Sequence, residues 1–249
     1  MSGHSKWATT KRKKARIDGA RAKVFNRIIR ELTVAAKMGG SDLSSNTRLR
    51  TGVLKAKAAN MPAKNIDSAI AKGANELEGV TYFEPLYEGY GAGGISILVE
   101  CLTDNKTRTV ANIRHIFSRM GGNMGESGSV AWMFKSLGVI TLLKDQIEEE
   151  ALMDLVLDAG VEDITSDEDE FTLTMAPESF LTVMEVLEKS NLNTSSSELA
   201  KIPDTKMDLV GEEAAKAIRL LEALDDDDDV QNVFTNGEFP EPEEKGDDS

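Results

Sequence analysis

Cysteine is nearly absent. Cys101 stands alone in 249 residues, which excludes an internal disulfide framework and a thiolate zinc site. With two histidines there is little for a transition metal to bind, and the thiol-poor composition fits a reducing cytoplasm. No run of about 18 apolar residues occurs, which excludes a spanning helix of ordinary length. The segment from Met1 to Arg30 lacks the apolar stretch of a secretory signal. What is present, 40% apolar and 29% charged residues, suits a soluble chain long enough for two or three buried cores.

The net charge of -14 conceals two opposed parts. Residues 1–79 hold 17 Lys and Arg against 6 acids, a net of +11. Residues 80–249 hold 12 against 37, a net of -25. Such asymmetry points to an anionic partner for the basic part. The first thirty residues concentrate it: Lys6, Lys11, Arg12, Lys13, Lys14, Arg16, Arg21, Lys23, Arg27 and Arg30 face the single acid Asp18.

From Ala20 to Lys37 the apolar period is helical, with Phe25, Ile28, Ile29, Leu32 and Ala36 on one side. Lys23, Arg27, Arg30 and Lys37 lie on the other, and Gly39-Gly40 ends the helix. A second helix runs from Thr47 to Ala59 with Leu49, Val53 and Ala56 inward. A third opens at Met61-Pro62 and stops at Lys72-Gly73.

After Gly79 strands enter. Ile95–Leu102 is β-branched, Thr103-Asp104 caps a helix to Met120, and Ser129–Phe134 reads as a strand. Then strand Val139–Leu143, helix Ile147–Ala159, strands Val161–Thr165 and Phe171–Met175, helix Glu178–Lys189 and strand Ser195–Leu199 make a βαββαβ unit. A helix at Glu212–Leu224 and a strand at Val230–Thr235 follow. The expected fold is α+β with three domains: an N-terminal helical domain and two α/β domains with split-βαβ, ferredoxin-like open sheets. The expected boundaries are 1–79 for the arm and helical domain, 80–135 plus 204–236 for a discontinuous α/β domain, 136–203 for the inserted βαββαβ unit, and 237–249 for a disordered acidic tail.

Catalytic motifs are not found in the pattern. Gly89-Tyr90-Gly91-Ala92-Gly93-Gly94 precedes a strand, whereas a phosphate loop follows a strand and opens a helix, so it reads as a turn. Gly121 to Gly128 reads as a connection. His115 shares its helix face with Arg108 and Arg119 and reads as a surface residue. No carboxylate pair or Ser/His/Asp spacing names an enzyme. The acidic runs lack the spacing of a calcium loop and read as solvated faces. No cofactor and no metal are expected.

The arm suits a phosphate-rich partner, because neutralising phosphates releases counterions. Lys6, Lys11, Arg12, Lys13, Lys14 and Arg16 would contact phosphate, Trp7 would stack on a base or pack on the domain, and Lys23, Arg27, Arg30 and Lys37 would extend the surface. An alternative is that the basic face docks on acidic domains of this chain or of another copy.

The opening Gly3-His4-Ser5-Lys6-Trp7 resembles that of the YebC/PmpR family of probable transcriptional regulatory proteins, related to a mitochondrial translational activator. Phe25…Arg30-Glu31-Leu32…Ala35-Ala36…Gly39-Gly40, Ala59-Asn60-Met61-Pro62, and Tyr87 through Gly94 are similar to further family motifs. So are Val99 through Asn105, Arg108-Thr109, and Phe117…Gly121-Gly122-Asn123…Gly128-Ser129-Val130. Ala92 and Thr107 depart from the usual proline and asparagine. The resemblance implies a helical domain before two α/β domains, and nucleic-acid binding: DNA, as a transcriptional regulator, or ribosomal RNA, as a translation factor relieving stalling at proline-rich stretches. It also implies a bacterial cytoplasmic member, since the signature starting at Gly3 leaves no room for a transit peptide. The acidic domains would orient the basic one and offer a surface to a protein partner.

Overall fold

The structure, a computed structural model, describes residues 18–75 and 81–240. These divide into two compact units. One comprises the helical segment to residue 80 with residues 136–201, and the other comprises 81–135 with the segment from 202.

In the first unit, α1 (Asp18–Gly39), α2 (Thr47–Ala58) and α3 (Ala63–Asn75) form the helical part. Leu32, Ala35 and Ala36 of α1, Leu49 and Ala56 of α2, and Ile66 and Ala69 of α3 share one buried cluster. Asn46 caps α2 by accepting from the Leu49 N–H at 3.0 Å. Its Nδ2 donates to the Ala35 and Gly40 carbonyls, both at 2.8 Å, so one side chain starts α2 and ends α1. Thr33 Oγ1 donates to the Ile29 carbonyl at 2.8 Å and lies 3.3 Å from that of Ala69 on α3. At this crossing a Cβ on Gly73 would fall 2.1 Å from the Thr33 carbonyl oxygen, so only glycine lets the helices approach this closely.

Residues 134–203 of this region form a sheet from β4 (Phe134–Leu143), β5 (Val161–Ser166), β6 (Glu170–Met175) and β7 (Thr194–Pro203), in the order β5-β6-β4-β7. β6 is antiparallel to both β4 and β5. β4 and β5 are therefore parallel, joined by α5 (Glu149–Val156) and split by β6. Leu152 and Val156 of α5, with Phe180, Val183 and Leu187 of α6 (Phe180–Lys189), cover Ile140, Leu142, Phe171 and Leu173. Leu54 of α2 belongs to this cluster as well, so α2 has a second buried face that its apolar period does not announce.

In the second unit the order is β3-β1-β2-β9, from β1 (Leu86–Tyr90), β2 (Ser96–Cys101), β3 (Asn123–Met124) and β9 (Val230–Thr235). Every pairing is antiparallel. β2 and β3, joined by α4 (Lys106–Arg119), are thus parallel with β1 between them, again a split βαβ. α4 and α7 (Gly211–Asp225) bury Ile113, Phe117, Ala217, Leu220 and Leu221 against Ile97, Val99 and Val233. On the opposite face Leu98 packs with Val130 and Phe134. A helical region and two sheet-bearing parts of split-βαβ form agree with the expected α+β class.

Three expectations are corrected. Ser129–Phe134 is no strand: Ala131–Met133 is a 3-10 turn and the strand starts at Phe134, because the Glu88 carboxylate captures the Val130 and Ala131 N–H groups a ladder would need. The cap of α4 is Asn105, which accepts from the Arg108 N–H at 3.0 Å; Thr103 is buried beside Asp229 instead. The stretch from Gly237 is ordered at its start, where β10 (Gly237–Glu238) pairs with β8 (Met207–Asp208) and Phe239 joins the core. Its apolar ring outweighs the acid-rich surroundings. Residues 241–249 lie outside the described residues.

Candidate nucleic-acid interface

Lys6, Trp7, Lys11, Arg12, Lys13, Lys14 and Arg16 lie outside the described residues. Lys23, Arg27, Arg30 and Lys37 all sit on α1, and all are half-buried rather than fully solvated. Each already interacts with another group of the chain. Their helix is held by Asn46, by the Thr33–Gly73 crossing and by a fork in which Arg48 Nε and Nη2 meet the two Glu31 oxygens at 2.7 and 3.0 Å.

The pattern of the chain named no base-reading helix, yet α3 exposes Lys64, Asn65, Ser68 and Lys72 while burying Ile66, Ala69 and Gly73. Lys64 and Asn65 occupy its first turn, with exposed Asp67 between them and Ser68. The signal was the complement of the buried stripe, since these residues fall on the remaining arc of the wheel.

In the second unit, α4 contains no acid and exposes Lys106, Arg108, Arg114, His115 and Arg119. Arg108 is committed at its amino-terminal end. Its Nη2 lies 2.8 Å from Asp229 Oδ2 and 3.0 Å from Asp104 Oδ1. Asp229 is buried and also accepts from Thr109 at 2.8 Å and Thr103 at 3.2 Å. These bonds, led by that to Asp229, raise the Arg108 guanidinium above its ordinary value and hold the charge in place. His115 is exposed.

Glu88 is the other polar centre, buried with only 3% of its surface exposed. Its Oε1 accepts from the Gly128 N–H at 2.6 Å, and its Oε2 from those of Val130 and Ala131 at 2.6 and 2.8 Å. Burial pushes its carboxyl up, but the three backbone donors outweigh burial and hold it below the ordinary carboxylate value. The glycine connection is thereby pinned, and β3 within it pairs with β1. Gly91–Gly94 closes the β1–β2 hairpin, with the Gly91 N–H donating to Ile95 at 2.9 Å. No helix opens on it, so it cradles nothing in the manner of a phosphate loop.

Among the described residues no group of three or more His, Cys, Asp or Glu is placed to hold a metal. No helix among them is long and apolar enough to cross a membrane.

Comparison with known proteins gives consistent matches along the chain. A family model for the TACO1/YebC protein N-terminal domain matches residues 5–76. One for the TACO1/YebC second and third domain matches residues 82–237. A probable transcriptional regulatory protein of Desulforapulum autotrophicum is 50% identical over 241 residues, 97% of this chain and 98% of that one. Another of Geobacter sulfurreducens is 49% identical, with 95% of each chain covered. Among solved structures, a conserved hypothetical protein from Aquifex aeolicus superposes with a TM-score of 0.80 at 40% identity, covering 92% of this chain and 94% of its own. On both its helical and its sheet-bearing parts, this chain belongs to the TACO1/YebC family.

Proposed function

We propose that this protein is a nucleic-acid-binding regulator of gene expression, most directly a DNA-binding transcriptional regulator. It acts in the cytoplasm by binding rather than by catalysis. The observation that carries this reading is the separation of +11 in residues 1–79 from -25 beyond them. Lys6, Lys11, Arg12, Lys13, Lys14 and Arg16 supply phosphate contacts, with Lys23, Arg27, Arg30 and Lys37 behind them and Trp7 beside them. Such contacts position a protein without reading sequence, and Lys64 and Asn65 on α3 are of the types that read base edges. The acidic remainder turns the basic part toward phosphate and offers a surface to a protein partner. The names borne by the relatives support a role in transcription.

The test is fluorescence anisotropy against salt with duplex DNA. Replacing Lys11, Arg12, Lys13 and Lys14 by alanine is expected to weaken binding and flatten the slope of log affinity on log salt by about 0.9 for each phosphate no longer neutralised. An unchanged slope would sink the assignment of the arm.

The second reading is a translation factor on ribosomal RNA. It is favoured by an exposed aromatic pair, Trp132 and Tyr90, of the kind that stacks on unpaired bases. Crosslinking in cells with sequencing of both DNA and RNA separates the two: discrete promoter fragments support the first, ribosomal RNA the second.

A further inference from the structure

The acidic part of the chain contains a segment that is not acidic. Residues 105–144 hold 6 of the 12 Lys and Arg found in residues 80–249, and Glu126 is the only one of the 37 acids there. This segment contains α4, the glycine connection and the turn at Ala131–Met133. In its second half lies Trp132, 75% exposed. Tyr90, at the end of β1 and 37% exposed, is its neighbour through one shared atom. Trp132 Nε1 donates to the Ser129 carbonyl at 3.2 Å, and the Tyr90 hydroxyl donates to the same oxygen at 3.3 Å.

Both rings therefore spend their polar atom on the same backbone oxygen, and what they offer a ligand is ring surface. Ordinarily an indole this exposed costs hydration free energy and moves freely. Here the turn carrying it is fixed. Glu88 binds the Gly128, Val130 and Ala131 N–H groups, the Met133 N–H donates to Val130 at 3.0 Å, and the Asp204 N–H donates to Met133 at 2.9 Å. Lys135, three residues on, pairs with the Asp204 carboxylate at 2.6 Å, which offsets that acid's charge. Beside the rings, a Cβ added at Gly128 would meet nothing within 4 Å, so the backbone there is open to close approach.

We propose that Trp132 and Tyr90 form a preorganised platform on which an unpaired nucleobase of a single-stranded nucleic acid stacks. The proposal rests on the nucleic-acid reading above and deepens it by naming unpaired bases as part of the target. A rigid aromatic face with its hydrogen-bonding atom already satisfied recognises flat, sequence-independent π-surface. Duplex DNA hides that surface in its own stack, whereas RNA loops and opened DNA present it. Of the acids at the turn, Glu88 is buried and saturated by backbone donors and Asp204 is paired with Lys135, which lessens the repulsion that the rest of this part would exert on phosphate.

The test uses the full chain and three labelled 12-nucleotide probes: an unstructured single-stranded RNA, the single-stranded DNA of the same sequence, and its duplex. Trp132→Ala is expected to weaken single-strand binding roughly 5- to 150-fold, the range for loss of one stacked base. Duplex binding should be unchanged, and so should the salt slope, because the indole neutralises no phosphate. Trp132→Phe should recover most of the affinity, which separates stacking from a folding defect. In a Trp7→Phe background, where Trp132 is the one remaining indole, fluorescence quenching by single strands would assign the contact to Trp132. A larger loss for RNA than for DNA identifies RNA as the source of the base.

Equal affinity of wild type and Trp132→Ala for the single strands overturns the platform while leaving salt-dependent binding by the arm intact. A loss as large on the duplex as on the single strands overturns it too. If the wild-type chain binds none of the three probes at low salt, the nucleic-acid reading itself fails and the platform with it; the exposed indole would then be a protein contact.

Discussion

The Glu88 clamp gives the sharpest stability prediction. In Glu88→Gln one amide oxygen replaces two carboxylate oxygens, and its NH2 group points a donor where the protein supplies N–H donors. At most two of the bonds from Gly128, Val130 and Ala131 can be kept. Hydrogen bonds to a charged acceptor contribute about 1.5–3 kcal/mol, and an orphaned buried donor costs about 1–3 kcal/mol. A loss of about 2 kcal/mol is the conservative expectation. At about 2–4 °C per kcal/mol for a chain of this size, the melting temperature at pH 7 should fall by roughly 4–8 °C.

The pH dependence follows from the same bonds. The folded carboxyl titrates below its ordinary 4.5. Its contribution is therefore complete above that value and is lost as pH falls through the folded pKa. The gap between wild type and Glu88→Gln should close on acidification and stay constant from pH 6 to 8. Circular dichroism melts across this range, with Trp132 emission in a Trp7→Phe background as a local probe of the clamped turn, measure both effects. Equal melting at pH 7, or a gap that widens in acid, would refute the assignment of the clamp.

Other variants test the helical part and its packing. Gly73→Ala places a methyl group 2.1 Å from the Thr33 carbonyl oxygen, so overpacking of about 1–3 kcal/mol should exceed the roughly 1 kcal/mol that alanine gains in a helix; a variant melting above wild type would contradict the close crossing. Asn46→Ala removes a cap and the bonds to the Ala35 carbonyl of α1 and the Gly40 carbonyl just beyond it, and denaturant unfolding should show a loss of about 1–3 kcal/mol. Leu54→Ala should cost about 2–5 kcal/mol and lower the unfolding midpoint of the βαββαβ region, since the side chain lies in that cluster. Lys57→Ala, by contrast, breaks only the exposed pair with Glu188 at 2.9 Å and should change stability by less than about 1 kcal/mol.

Local order on this chain is written in local patterns. The charge separation needs only counting. The apolar side of α1, with Leu32 and Ala36 buried and Phe25, Ile28 and Ile29 packed against the same cluster, follows from a 3.6-residue period, and the strands of the βαββαβ region follow from β-branched runs between turns. Both periods arise from backbone geometry within a few residues, so they survive without knowledge of the neighbours.

What depends on distant residues had no such signature. Leu54 sits outside the apolar stripe of α2 and is buried because another sheet passes there. Ser129–Phe134 has the composition of a strand, yet a carboxylate forty residues upstream takes its N–H groups and bends it into a turn. Thr103 looks like a helix cap, but Asp229, far along the chain, draws it inward and leaves capping to Asn105. Trp132 reads as an ordinary apolar residue until the fold turns it outward and anchors it on Ser129. By itself the sequence determined the class of fold, the main apolar stripes of its helices and the separation of its charge, because each is set by residue type or by neighbours within one or two turns. Only the tertiary structure decided which polar groups meet and which aromatic rings remain outside, because those depend on where long-range packing brings the chain back upon itself.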